Sequence, residues 1–170
     1  GGEVYLFKGG TVADQISDIK KQPAPNIAYG RETDDSDTWG YQAEPTPGKA
    51  NCGKTVKDLL GEPVFSEQGS IFTTSDIHTL TLSLPSGSPE GAEIHYTTNG
   101  SEPTKDSDKY VTPIIISNNS IIRAKIFCEG YMSPPSTVHS YIFFTQRQLT
   151  LPVVSIVTDD LYLNDPKIGI

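Results

Sequence analysis

The chain is poor in the residue types that most quickly reveal chemistry. Its 170 residues include only two cysteines, Cys52 and Cys128, one tryptophan and one methionine. Two cysteines are too few for a disulfide framework, and two independent buried thiols suit the burial habit of free Cys better than one bridge. Basic residues are also scarce, 13 Lys and Arg against 21 Asp and Glu, for a net charge of −8. That acidity is spread along the chain and repels phosphate backbones and anionic lipid, which disfavours nucleic-acid and membrane-surface partners. No apolar run is long enough to span a bilayer, and no basic-plus-apolar leader stands at the start. The first residues, GGEVYLF, already read as a strand, as expected of a piece of a longer precursor.

Long helical periodicity is missing as well. In its place come 15 Gly, 13 Pro and repeated period-two alternation, the mark of half-buried strands. In HTLTLSL, His78, Leu80, Leu82 and Leu84 share one face. In EIHYTT, Ile94, Tyr96 and Thr98 oppose Glu93, His95 and Thr97, and in IIRAKIF, Ile122, Ala124 and Ile126 oppose Arg123, Lys125 and Phe127. Asn99-Gly100 and the Ser/Pro/Gly-rich stretches 85–91, 117–120 and 128–136 punctuate these runs as turns and loops. Short strands at such spacing predict an all-β, immunoglobulin/fibronectin-III-like sandwich. A second, incomplete β unit is expected before it. EVYLF, Gly9-Gly10 and TVADQI read as a hairpin, and KTVKDLLGE (54–62) has room for one or two helical turns. The expected segments are 1–60, 61–148 and 149–170.

One motif points elsewhere. GKANCGKT, Gly48 to Thr55, has the spacing of a phosphate-binding loop, and Asp159 after an apolar stretch resembles its Mg²⁺ ligand. Such a loop needs a strand before it and a long helix after it, so that backbone N–H groups and the helix dipole meet the phosphates. Here QAEPTP precedes Gly48 and VKDLL follows Thr55, so nucleotide binding through Lys54 stays a remote alternative.

The remaining candidates are weak. His78, His95 and His139 differ in phase and lack metal-ligand spacing, so one partly buried, hydrogen-bonded histidine and two surface ones are expected. DDSD (34–37), DSD (106–108) and Asp165 offer loop oxygens without the calcium-loop pattern. Asn99-Gly100-Ser101 and Asn118-Asn119-Ser120 match glycosylation acceptors that serve equally as turns. No nucleophile elbow and no Cys–His arrangement is present. The reading assigns no catalytic, cofactor or metal residue, and no enzyme activity. Trp39, Tyr41 and Tyr131 read as exposed aromatics in loops, and Trp39 and Tyr41 are the candidate ligand-stacking pair; plugging a sandwich edge is their plainer role.

Three stretches carry family resemblances. Residues 27–51 resemble the end of a lamin-tail domain, an immunoglobulin-like sandwich, through Tyr29-Gly30-Arg31, Trp39, Pro45-Thr46-Pro47-Gly48 and Asn51. Residues 63–72, 93–116 and 121–143 resemble the domain at the C-terminus of chitobiases and β-hexosaminidases. YTTNGSEPT (96–104) is the specific part, with Asn99 where that family more often has Asp. This resemblance implies a fibronectin-III-like sandwich with no catalytic residues of its own. Residues 151–170 look like the opening of a CotH-type, kinase-like domain, through Leu151-Pro152, Ser155, Asp165 and Gly169-Ile170. Together the resemblances imply a non-catalytic spacer or docking module in a secreted or surface-exposed bacterial protein, positioning a CotH-like domain. The partners they imply are the neighbouring domains, with a glycan or envelope protein as further candidates. The alternative is a carbohydrate-binding module.

Overall fold

The computed structural model describes residues 2–17, 27–42, 44–51, 55–144, 154–158 and 166–167. Every regular element among them is a strand. Contacts divide the chain into two units, Gly1–Leu59 with Gly130–Met132, and Leu60–Glu129 with Ser133–Ile170.

In the first unit, β1 (Val4–Lys8) and β2 (Thr11–Ile16) form the expected antiparallel hairpin around Gly9-Gly10. Its register slips between Leu6 and Phe7, where β2 carries the extra residue Ala13. A second hairpin joins β3 (Ala28–Arg31) to β4 (Trp39–Gln42), pairing Tyr29 with Tyr41 and Arg31 with Trp39. The helical expectation for 54–62 is corrected among the described residues of that stretch. Val56 bridges Tyr41, exchanging backbone hydrogen bonds of 3.0 and 2.9 Å, and Leu59 bridges Met132. Long-range pairing overrides a weak local helical preference here.

The second unit supplies the remaining strands: β5 (Val64–Phe65), β6 (Ser70–Phe72), β7 (His78–Leu80), β8 (Leu82–Ser83), β9 (Glu93–Thr97), β10 (Asp108–Lys109), β11 (Ile114–Ile116), β12 (Ser120–Phe127) and β13 (Thr137–Phe143). A five-stranded sheet runs β10-β9-β12-β13-β6, antiparallel except for the β13–β6 pair. The pairs β11-β7 and β5-β8 form the other layer of an all-β sandwich. Alternation decides what fills it. Ile94, Ile122, Ala124, Ile126 and Tyr141 from the large sheet are buried, as are Leu80, Leu82, Ile114 and Ile116 from the small pairs. Each fully buried aliphatic side chain contributes roughly 1.5–3 kcal/mol relative to exposure. The Phe72 ring stacks on His78 at 3.6 Å, joining β6 to β7 across the layers. The Tyr141 phenol lies in this core and donates to the Glu67 carbonyl at 2.7 Å. Burial pushes its pKa up to about 12.

Candidate functional site

The stretch YTTNGSEPT leaves β9 and folds back over the outer face of β9 and β12. Asn99 starts the turn. Its Oδ1 accepts from the Ser101 backbone N–H at 3.1 Å and the Ser101 hydroxyl at 2.7 Å, an Asx-type arrangement. Gly100 has φ +81°, and a Cβ there would lie 3.1 Å from Ile121 Cγ2, so the turn requires glycine. The Thr97 hydroxyl donates to the Ser101 carbonyl at 2.6 Å. Pro103 is then fully buried, and the loop ends in a Thr104–Ser107 turn closed by a 3.1 Å backbone bond.

Glu102 anchors this loop. β12 alternates, so Arg123 and Lys125 point away from the core, onto the face the loop covers. Glu102 pairs with Lys125 Nζ at 2.9 Å and with the Arg123 guanidinium. The Ser136 hydroxyl donates to Glu102 at 2.6 Å and accepts from Arg123 Nε at 2.7 Å. Arg123 also donates to the Gly100 carbonyl at 3.2 Å. Burial works against the Glu102 charge, but Ser136, Lys125 and Arg123 outweigh it and hold the carboxyl below its ordinary pKa. The result is a polar clasp between loop, β12 and the segment before β13. Glu102 was missed in the sequence reading. The available signal was a lone acid beside Pro103, in a loop that two outward cations of one strand could meet.

The clasp changes the histidine picture. His95 points to the outer face, yet it is buried, because the returning loop covers it and the Ser107 carbonyl accepts from its Nδ1 at 2.8 Å. Its Nε2 lies 3.6 Å from Glu93, which also pairs with Lys109. His78 and His139 are half-buried rather than on the surface. Among the described residues the His78 Nε2 has no hydrogen-bond partner, and His139 Nδ1 accepts from the Gly69 backbone at 3.2 Å. Burial pushes the His139 pKa below its usual value. The expectation of two surface histidines is therefore corrected. Among the described residues, no group of three or more His, Cys, Asp or Glu side chains is placed to hold a metal ion. Cys128 is a free, half-exposed thiol 3.6 Å from the Glu90 carbonyl, whereas Cys52 lies outside the described residues.

Trp39 and Tyr41 lie in β4 rather than in a loop and share a face, with Tyr29 beside them. Tyr29 stacks on Trp39 at 6.0 Å and meets Tyr41 at 5.1 Å. Tyr41 is buried at 8 % exposure, while Trp39 is half-buried under the Arg31 guanidinium, 5.0 Å from its ring centre. Arg31 is the hub of this region. It donates to Asp14 at 2.7 Å, the Ser36 carbonyl at 2.6 Å and Asp37 at 3.2 Å. Its own carbonyl accepts from Gln42 at 2.6 Å and Asn51 at 3.2 Å. The Asn51 backbone donates to Asp34 at 2.9 Å. The arginine, the tryptophan and the asparagine singled out in 27–51 thus meet in one network.

Gly48 of the nucleotide-like motif sits in a turn closed by Lys49 N–H to the Thr46 carbonyl at 3.1 Å. Lys54 and Asp159 lie outside the described residues, as do Leu151-Pro152, Asp165 and Gly169-Ile170. Asn99 and Asn118 are both exposed in turns. An open groove of about 540 Å³ runs along β6 and β13, bordered by Ser155 and Val157, with Ser155 held to Ser140 at 2.7 Å between the hydroxyls.

Compared with known families, residues 68–140 match the chitobiase/beta-hexosaminidase C-terminal domain. The match covers most of the sandwich, the clasp included. No curated protein and no solved structure gave a significant match.

Proposed function

We propose that this chain is a non-catalytic spacer and docking module of a secreted or surface-exposed bacterial protein, holding a downstream CotH-like domain at a set position. The observation carrying this reading is that the distinctive side chains of its motifs are engaged in architecture. Glu102 is satisfied by Lys125, Arg123 and Ser136, and Asn99 by Ser101. Arg31, Asp34 and Asn51 likewise satisfy one another's surroundings. A sandwich whose loops lie at two ends suits tandem linking. The bacterial, extracellular and CotH parts rest on the resemblances. The test is to replace residues 61–148 in the parent protein with an unrelated fibronectin-III sandwich of the same span. Retained surface display and downstream activity support the spacer; their loss, with the replacement folded, refutes it.

Carbohydrate binding is the second reading, favoured by the part of Trp39 that stays exposed beside Arg31. Trp39 is the only tryptophan, so its emission reports directly on this face. The spacer reading expects unchanged emission on titration with oligosaccharides. A saturable shift abolished by Trp39→Ala establishes glycan binding instead.

A further inference from the structure

Asn99-Gly100 is the only Asn-Gly pair in the chain, and the turn it makes has a chemistry of its own. The backbone nitrogen that follows an asparagine is a nucleophile toward the side-chain Cγ, and glycine leaves that approach free of a Cβ. Asn99 is exposed, and its backbone bridges Ile121, which fixes the residue against β12. The Asx-type bond from the Ser101 N–H to Oδ1 curls the carboxamide back over the Gly100 nitrogen. The Ser101 hydroxyl donates to the same oxygen. These two donors, at 3.1 and 2.7 Å, polarise the carbonyl and stand at the separations of an oxyanion hole. The turn at 117–120 lacks this combination. Asn118 is followed by Asn119 and Asn119 by Ser120, each with a Cβ, and the Phe143 backbone donates to Asn119 Oδ1 at 2.7 Å.

We propose that Asn99 is a site of spontaneous deamidation promoted by its own turn. The Gly100 nitrogen forms a bond to Asn99 Cγ and gives up its proton, the Cγ–Nδ2 bond breaks, and ammonia leaves. Water then opens the resulting succinimide at either carbonyl, giving aspartate or isoaspartate at position 99. The sequence of steps needs water alone. Either product adds one negative charge to the −8 of the chain. The two differ in what they do to the turn. Aspartate keeps the backbone and offers the Ser101 donors a charged acceptor, which makes stronger bonds than the amide. Isoaspartate puts a methylene into the main chain. That shifts the Gly100 carbonyl, which Arg123 holds at 3.2 Å, and the glycine packed against Ile121. Deamidation thus strengthens the turn along one branch and loosens the clasp along the other.

Peptide mapping by mass spectrometry tests this on the folded 170-residue chain, held for days at mildly alkaline pH. Position 99 should convert while Asn118 and Asn119 stay amides. Ser101→Ala removes one of the two donors and should slow conversion about fivefold, less than in a dry enzyme site because water reaches this turn. Ser101→Thr keeps the hydroxyl and should keep the rate. Ser101 is exposed, so both variants keep the fold, checked by unchanged circular dichroism. Unfolded in urea, wild type and Ser101→Ala should convert at one rate, because the turn is gone. A folded chain that keeps its amide at position 99 overturns the proposal. So do equal rates for folded wild type and Ser101→Ala, a Ser101→Ala effect that persists in urea, or equal conversion at Asn118.

Discussion

Replacing Glu102 by Gln removes the charge at the centre of the clasp while nearly keeping its shape. In the native chain the carboxylate faces two cations that are themselves largely covered, Lys125 at 19 % and Arg123 at 18 % side-chain exposure, while Glu102 keeps 37 %. Exposed pairs contribute about 0.2–1 kcal/mol, and breaking a fully buried one costs about 3–5 kcal/mol. The clasp lies between these limits. Glu102→Gln should therefore cost about 2 kcal/mol, equivalent to a fall in Tm on the order of 10 °C for a domain of this size. Acid adds a second signature. The folded carboxyl titrates below its ordinary 4.5, so its contribution is complete above pH 4.5 and is lost as pH falls through the lower folded value. Thermal melts at pH 7 and across the acid range check both. The wild type should lose stability below pH 4.5 more steeply than Glu102→Gln. A variant within about 0.5 kcal/mol of wild type at pH 7, with an unchanged acid limb, refutes the clasp as a stabilising device.

Three further outcomes follow from the core and the sheet. Tyr141→Phe removes the bond to the Glu67 carbonyl inside the core and should cost about 1–2 kcal/mol by urea denaturation. Half-buried His139 titrates below 6.5, so the unfolded chain takes up a proton first as pH falls. Its contribution is complete above pH 6.5 and is lost between 6.5 and the lower folded pKa, a slope that His139→Gln should abolish in pH-dependent melts. Gly69→Ala would set its Cβ 2.8 Å from the Ser140 carbonyl, and hydrogen exchange should show β6 separating from β13.

The legible parts of the fold were those set by local alternation. Ile122, Ala124 and Ile126 read as inward residues and are buried, and the Gly9-Gly10 hairpin formed where its turn predicted. Leu84 failed the same rule, at 38 % exposure, because β7 and β8 break at Thr81, which bonds Ser66, and the chain leaves the sheet after Ser83. The burial of His95 has a different origin. Alternation gives its face correctly, but whether that face is wet depends on a loop returning from Thr98, which no local pattern encodes. Pro103 is a buried part of that loop. Trp39 and Tyr41 show the same limit: read as exposed loop aromatics, they lie in β4, where Tyr41 is buried against Tyr29, a residue of another strand.

The central claim is that the loop after β9 is a fixed part of the sandwich, and the most direct measurement is ¹⁵N relaxation across residues 98–107. The clasp predicts order parameters near the rigid-backbone value of about 0.85, equal to those of β9 and β12. Values below about 0.6, rising only when a ligand is added, would contradict it and mark the loop as a binding element.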